Sequence, residues 1–246
     1  MNKRITLLLS ALLVAVVVSA AEKVSETRKL SGYEKIEING SPKVVYTQGK
    51  TFSVRVEGKR ESVDNVETSV SGNTLYVKNK GKVGIFNFTT GSSDDAVVYV
   101  TSPDLISIRV NGSGDFISKT QIDTDRMTIV LRGSGDIDVK DIICDACNIT
   151  LIGSGDVDLD RLEARDVNAS LVGSGDIDLA LLKVNVTRLY VKGSGDMKAD
   201  FREGCGSVEC QLTGSGDITL SGKVKHISKQ KHGSGDIHVN KLAVEK

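Results

Sequence analysis

The chain has 246 residues, 39% of them apolar and 26% charged, enough for a buried core and unlike a disordered acidic or basic tail. Lys+Arg and Asp+Glu balance at 32 each, so no basic excess points to nucleic acid as a partner. Glycine is abundant, at 25 against 2 prolines, while aromatics make up 4% and Trp is absent, a composition that is not collagen-like.

At the N-terminus, Lys3 and Arg4 precede an uncharged apolar run over residues 5–18, closed by Ser19, Ala20 and Ala21. A short basic segment, an apolar core and small residues at the cleavage positions describe a secretory signal peptide over residues 1–20. Cleavage after Ala21 fits as well as cleavage after Ala20. The run is at the short end for crossing ~30 Å of hydrocarbon, and no Cys follows it to carry a lipid. The mature chain is therefore expected outside the cytoplasm, in the periplasm, on the outer-membrane surface or secreted. No later segment is apolar and long enough to span a membrane as a helix.

Residues 21–110 carry strand signals with a weak period. Residues 44–47 and 52–56 flank Gln48-Gly49, and residues 66–70 and 75–78 flank Ser71-Gly72-Asn73. A polar, Gly-containing loop comes next over residues 79–95, then a strand over 97–100 and a turn at Pro103. Irregular β-rungs, continuous with the C-terminal half of the chain, are expected. Phe86 and Phe88 in the loop either tuck beneath it or form a small contact patch.

Residues 111–246 are organised by a repeat. Gly-Ser-Gly-Asp starts at Gly112, Gly133, Gly153, Gly173, Gly193, Gly214 and Gly233, at intervals of 21, 20, 20, 20, 21 and 19 residues. Asn39-Gly40-Ser41-Pro42 reads as a degenerate earlier copy, the counterpart of Asn111-Gly112. Aligned on the first Gly, apolar columns recur: Ile137, Val157, Ile177, Met197 and Ile218; then Val139, Leu159, Leu179, Ala199 and Leu220. Ile142, Leu162, Leu182 and Leu242 form a third column, and Leu131, Leu151, Leu171, Val191 and Leu212 a fourth. Polar residues alternate between them, which is the period of strands.

One such repeat cannot bury its apolar face alone; copies stacked at ~4.8 Å can. The predicted fold is an all-β, right-handed parallel β-helix, a single-stranded solenoid of about 20 residues per rung. The seven motif-leading glycines are its corners, where positive φ or close backbone approach excludes a side chain.

Ile36-Glu37-Ile38-Asn39-Gly40, Val77 and Val100-Thr101-Ser102-Pro103-Asp104-Leu105, leading into repeated Gly-Ser-Gly, resemble the head GIN domain family of auto-transporter adhesins. The resemblance covers essentially the mature chain. It implies a secreted bacterial protein with a pectin-lyase-like superhelix, no catalytic residues and a role in adhesion. The sequence shows no coiled-coil heptads and no C-terminal barrel strands.

Candidate chemistry centres on carboxylates. The motif aspartates Asp115, Asp136, Asp156, Asp176, Asp196, Asp217 and Asp236 fall one per rung, and Asp138, Asp158 and Asp178 form a second short column. Like charges at ~4.8 Å repel by roughly 0.9 kcal/mol at water's dielectric, so the column needs compensation. Backbone N–H groups at the corner can supply it. Divalent cations are the alternative, with Asp136, Asp156, Asp176, Asp138, Asp158 and Asp178 as Ca²⁺ candidates.

Cys144, Cys147, Cys205 and Cys210 all align with inward columns. They are either buried free thiols or the local disulfides Cys144–Cys147 and Cys205–Cys210. The two pairs lie about three rungs apart, ~14 Å, too far for one zinc ion. His226, His232 and His238 have no second cluster to join, and the motif Ser lacks a Gly-x-Ser-x-Gly frame. No catalytic residue and no cofactor is assigned.

The expected function is a non-catalytic binding or adhesion module of the cell envelope. Its ligand is a protein or glycan of the envelope or of a host surface, and oligomers are possible. The alternatives are a polysaccharide-active β-helix enzyme, with Asp138, Asp158 and Asp178 facing Arg161 or Arg165 in an acidic groove, and a purely structural envelope protein.

Overall fold

A computed structural model describes residues 23–80 and 96–245; the predicted signal peptide and the Phe86–Phe88 pair lie outside them. The chain forms a β-solenoid of about seven turns with roughly 20 residues per turn. Its N-terminal part comprises β1 (Lys23–Arg28), β2 (Lys35–Gly40), β3 (Lys43–Gln48), β4 (Ser53–Lys59), a short helix α1 (Arg60–Asn65), β5 (Val66–Ser71) and β6 (Thr74–Asn79). β7 (Val97–Ser102), β8 (Ser107–Gly112), β9 (Asp115–Asp123) and β10 (Arg126–Gly133) lead into the regular rungs. These are β11 (Ile137–Gly153), β12 (Val157–Gly173), β13 (Ile177–Leu182), β14 (Val184–Gly193), β15 (Met197–Gly214), β16 (Ile218–Gly233) and β17 (Ile237–Val244).

The regular rungs pair in parallel and in the register that the repeat dictates. Ile137 lies beside Val157, then Ile177, Met197 and Ile218. Leu131, Leu151, Leu171, Val191 and Leu212 form another unbroken column. All of these are buried. The degenerate copy also falls in place, with Gly40 opposite Gly112.

The third column differs by one residue. Leu162 faces Leu181, not Leu182, and the column continues through Phe201 and Gly222 to Leu242. The rung containing β13 has one residue fewer between its inward positions at this corner, hence the register shift after Leu159. It recovers the residue at Lys183, where φ is 54°. A left-handed conformation lets a non-glycine residue turn the chain at a cost of roughly 1–2 kcal/mol.

The N-terminal rungs mix directions. β2 pairs in parallel with β6 and β8, and β3 with β7 and β9. β4, however, runs antiparallel to both β7 and β1, and β5 antiparallel to β6. The two segments flanking Gln48-Gly49 are strands as expected, yet they do not pair with each other, because β7 inserts between them. α1, with Val63 fully buried, joins β4 to β5.

Candidate functional site

The Gly-Ser-Gly-Asp corner is the most regular outward feature. Its seven leading glycines have φ between 120° and 139°. Each stacks on the glycine of the preceding rung, so that Gly133 O accepts hydrogen bonds from Ser154 N (2.9 Å) and Gly155 N (3.2 Å). The glycines are therefore corners, with no room for a side chain between rungs.

The aspartates beside them form a hydrogen-bonded ladder. Asp156 N donates to Asp136 Oδ1 at 3.2 Å, Asp176 N to Asp156 Oδ1 at 2.9 Å, and Asp196 N to Asp176 Oδ1 at 2.9 Å. The ladder continues from Asp217 N to Asp196 and from Asp236 N to Asp217. The five carboxylates from Asp136 to Asp217 thus each accept a backbone N–H from the next rung, which offsets the repulsion within the column, while Asp115 and Asp236 at its ends pair with Lys43 and Lys231. At Asp217 this bond, joined by His238 Nε2 at 3.2 Å, holds the carboxyl below its usual range. Among the described residues, no group of three or more His, Cys, Asp or Glu side chains is arranged to hold a metal ion. The melting temperature is expected to be the same in EDTA and in millimolar Ca²⁺; a rise with Ca²⁺ would assign the column a cation after all.

The second carboxylate column lies on the neighbouring outward strand face. Asp138, Asp158 and Asp178 stack in register and are succeeded by Lys198. Asp158 and Asp178 line a groove of about 350 Å³ with Asp160, Lys198, Asp200 and Arg202. Two of its basic groups are engaged in ion pairs, Lys198 Nζ 3.2 Å from Asp178 and Arg202 Nε 3.2 Å from Asp200, and Lys241 lines the groove as well. Desolvation, then the charges of Asp160, Asp178 and Asp138, raise the Asp158 pKa.

A raised carboxyl pKa means that the fold disfavours the charged form, a penalty present at neutral pH and absent below the unfolded value of about 3.9. Asp158→Asn is therefore expected to raise the melting temperature at pH 7 and to leave it unchanged near pH 3. Paired thermal melts at the two pH values check this.

Neither arginine expected to share this groove does so. Arg161 binds Asp141 (2.7 Å) and Glu163 (2.6 Å), and Glu163 in turn binds Lys183 Nζ at 2.7 Å. Gln121 Nε2 extends the chain to Asp141 at 3.1 Å. Bonding to Lys183 and then Arg161 lowers the Glu163 pKa. Arg165 lies 3.4 Å from Asp166 and lines a different pocket. This alternating ladder was legible in principle, since Asp141 and Arg161, and Glu163 and Lys183, are opposite charges one period apart.

A third outward face carries Asn148, Asn168, Arg188 and Glu209 in register along β11, β12, β14 and β15. Asn168 Nδ2 donates to Asn148 Oδ1 at 3.0 Å, and Arg188 Nη1 to Asn168 Oδ1 at 3.3 Å. Beside them run Thr150, Ser170, Tyr190 and Gln211. Ile152, 41% exposed, is the large apolar residue on this face.

All four cysteines are buried free thiols. Among the described residues no helix is long and apolar enough to cross a membrane.

No curated protein matches the chain at a significant level. A putative adhesin from Bacteroides fragilis has a similar structure, with a TM-score of 0.75 at 25% identity, covering 88% of this chain and 96% of that one. A putative lipid binding protein from Parabacteroides distasonis shares the fold (TM-score 0.66, 22% identity, 92% and 98% coverage). So does a putative adhesin from Parabacteroides merdae (TM-score 0.62, 17% identity, 92% and 98% coverage). The family model described as "Putative auto-transporter adhesin, head GIN domain" matches residues 32–204 and, in a second overlapping pass, 182–246. With its Gly-Ser-Gly corners stacked in one solenoid across that span, the chain belongs to this head GIN domain family of adhesins.

Proposed function

We infer that the protein is a non-catalytic binding module, exported after removal of residues 1–20, that attaches to a protein or glycan of the envelope or of a host surface. The observation that carries this reading is the straight face bearing Asn148, Asn168, Arg188 and Glu209, whose side chains are held in line by rung-to-rung bonds. A row of fixed polar groups at ~4.8 Å spacing suits an extended ligand, because few rotamers remain to be frozen on binding. Shortage of aromatics argues for polar contacts over sugar stacking.

The acidic groove supports the competing enzymatic reading through the raised Asp158 carboxyl, but Lys198 and Arg202 in it are held in ion pairs with Asp178 and Asp200. The mature chain, residues 21–246, should be screened on glycan arrays and extracellular-matrix proteins. Retention that is lost in Asn168→Lys/Ser170→Lys, with the fold intact by circular dichroism, supports the adhesion reading. Oligosaccharide cleavage without retention, abolished by Asp158→Asn, replaces it with the enzymatic one. Absence of both leaves the protein a structural element of the envelope.

A further inference from the structure

Two apolar columns change chemistry at the C-terminal end of the solenoid. Ile149, Ala169, Leu189 and Cys210 stand in one inward column, and Lys229 takes the next place in it. The column through Leu171 and Leu212 continues to Lys231 in the same way. Both lysines are exposed, whereas the residues before them in the two columns are buried. An ammonium group is tolerated in an inward column only where that column opens to water. β17 pairs with β16 over Ile218–Val224, so among the described residues the stretch 226–233 has a strand on one side alone. Its free N–H and C=O groups are an edge to which another strand can add. Aliphatic groups surround that edge: Ile227, Ile237, Val239 and Leu242 are partly buried, and Val244 is 54% exposed.

The opposite end gives a second, independent sign. β1 pairs with β4, which places Glu26 beside Val56 and Arg28 beside Val54, both of them fully buried valines. Glu26 and Arg28 therefore hold the inward side of β1, and they bond to each other at 2.6 Å. Each end thus carries charge in columns that are apolar along the rest of their length.

We propose that Lys229 and Lys231 block self-association, keeping a second copy of the chain from adding to the C-terminal end and holding the protein as a monomer. A stacked repeat is complementary to itself, since one more strand extends the ladder and covers the aliphatic groups around it. In a two-fold pair of copies, β16 would run antiparallel to its own equivalent. With Gln230 at the axis, Lys229 of each chain would lie opposite Lys231 of the other, about 5 Å away. Like charges directly opposite destabilise such a pair, and the aliphatic cover would shut ammonium groups away from water. Lys231 Nζ donates to Asp236 Oδ1 at 2.7 Å, which offsets part of its charge, but Lys229 has no ion-pair partner among the described residues. A head-to-tail stack would have to bury the Glu26–Arg28 pair as well as the lysines. The device leaves the outward faces free and does not depend on which ligand they take.

The test measures the mass of the folded mature chain by light scattering after gel filtration, from micromolar to near-millimolar concentration. Native protein is expected to have the mass of a single chain. Lys229→Ile/Lys231→Leu, which continues the two columns, should double that mass or build larger assemblies with its circular dichroism unchanged. Gln230→Leu, an equally apolar change on the outward side of the same strand, should stay at the mass of a single chain. Charge reversal covers the case in which the apolar variant fails to fold. Lys229→Glu/Lys231→Glu should be monomeric alone, pair one-to-one with native protein at low salt, and separate from it at about 1 M salt, where screening acts over ~3 Å. The proposal is overturned by native protein already paired through this end, shown by cross-linking at Lys229, or by a folded Lys229→Ile/Lys231→Leu chain that stays monomeric. Association of Gln230→Leu to the same extent, or a mixture of native and charge-reversed chains that does not pair, would overturn it as well.

Discussion

Gly175→Ala is expected to cost about 4 kcal/mol or more of folding stability, enough to leave much of the protein unfolded or aggregated at 37 °C. A β-carbon on Gly175 would overlap the Gly155 carbonyl oxygen and crowd the carbonyl carbon of Ser154, and both are backbone that belongs to the adjoining rung. Neither atom can yield without breaking the hydrogen bonds that seat one corner on the next. Gly173→Ala should be as damaging for two reasons, a similar overlap with Gly153 and a φ of 138°. Gly72→Ala is the contrast. Its φ is 58°, but nothing lies within 4 Å of the added carbon, so only the left-handed conformation is taxed, by about 1 kcal/mol. Urea unfolding of the three variants, monitored by circular dichroism, separates the causes. Equal midpoints for Gly175→Ala and Gly72→Ala would refute the close-approach account.

Leu171→Ala should destabilise by about 3 kcal/mol, the second largest effect expected of a single substitution. Leu171 is fully buried between Leu151 and Val191, and rungs on both sides hold the column in place. A truncated side chain here leaves a cavity that the backbone cannot close, because strand spacing is fixed by the ladder. Leu242→Ala, in β17, should cost under about 1 kcal/mol, since Leu242 is only partly buried and β17 has one neighbouring strand in the described structure. In a solenoid each rung interacts only with its neighbours, so the cost should grade from the end towards the middle. Denaturation midpoints for the same truncation at Leu151, Leu171 and Leu212 would trace this gradient; a flat series would contradict nearest-neighbour stability.

The corners and the main core columns were legible in the sequence, because a fixed period places equivalent residues on top of one another whatever the details of the turn. Gly112 to Gly233, the column through Leu171 and the inward alignment of all four cysteines come from spacing alone. The third column goes astray at Leu182 because one residue is dropped at one corner and regained at Lys183, leaving the overall interval at 20. Counting from motif to motif is blind to such a compensated shift. The interposition of β7 between β3 and β4 was equally hidden, since strand signals describe single segments and not their partners.

The sites divide in the same way. Asp136, Asp156 and Asp176 were visible as a column, but whether their repulsion is offset by cations or backbone depended on where the next N–H points, and it points at Oδ1. Asp158 and Arg161 are three residues apart in sequence, yet the chain turns between them, so they serve different faces. Cys205 faces inward by periodicity; that its sulfur meets Thr187 Oγ1 of the preceding rung, at 3.6 Å, depends on how sharply that corner closes.

Sequence alone thus determined the solenoid, its rung length and which residues line its interior, because repetition turns one local pattern into a global lattice. Only the tertiary structure decided which outward groups neutralise one another and which inward groups touch across a corner. Those outcomes depend on side-chain reach and local turn geometry, which vary from rung to rung while the period does not.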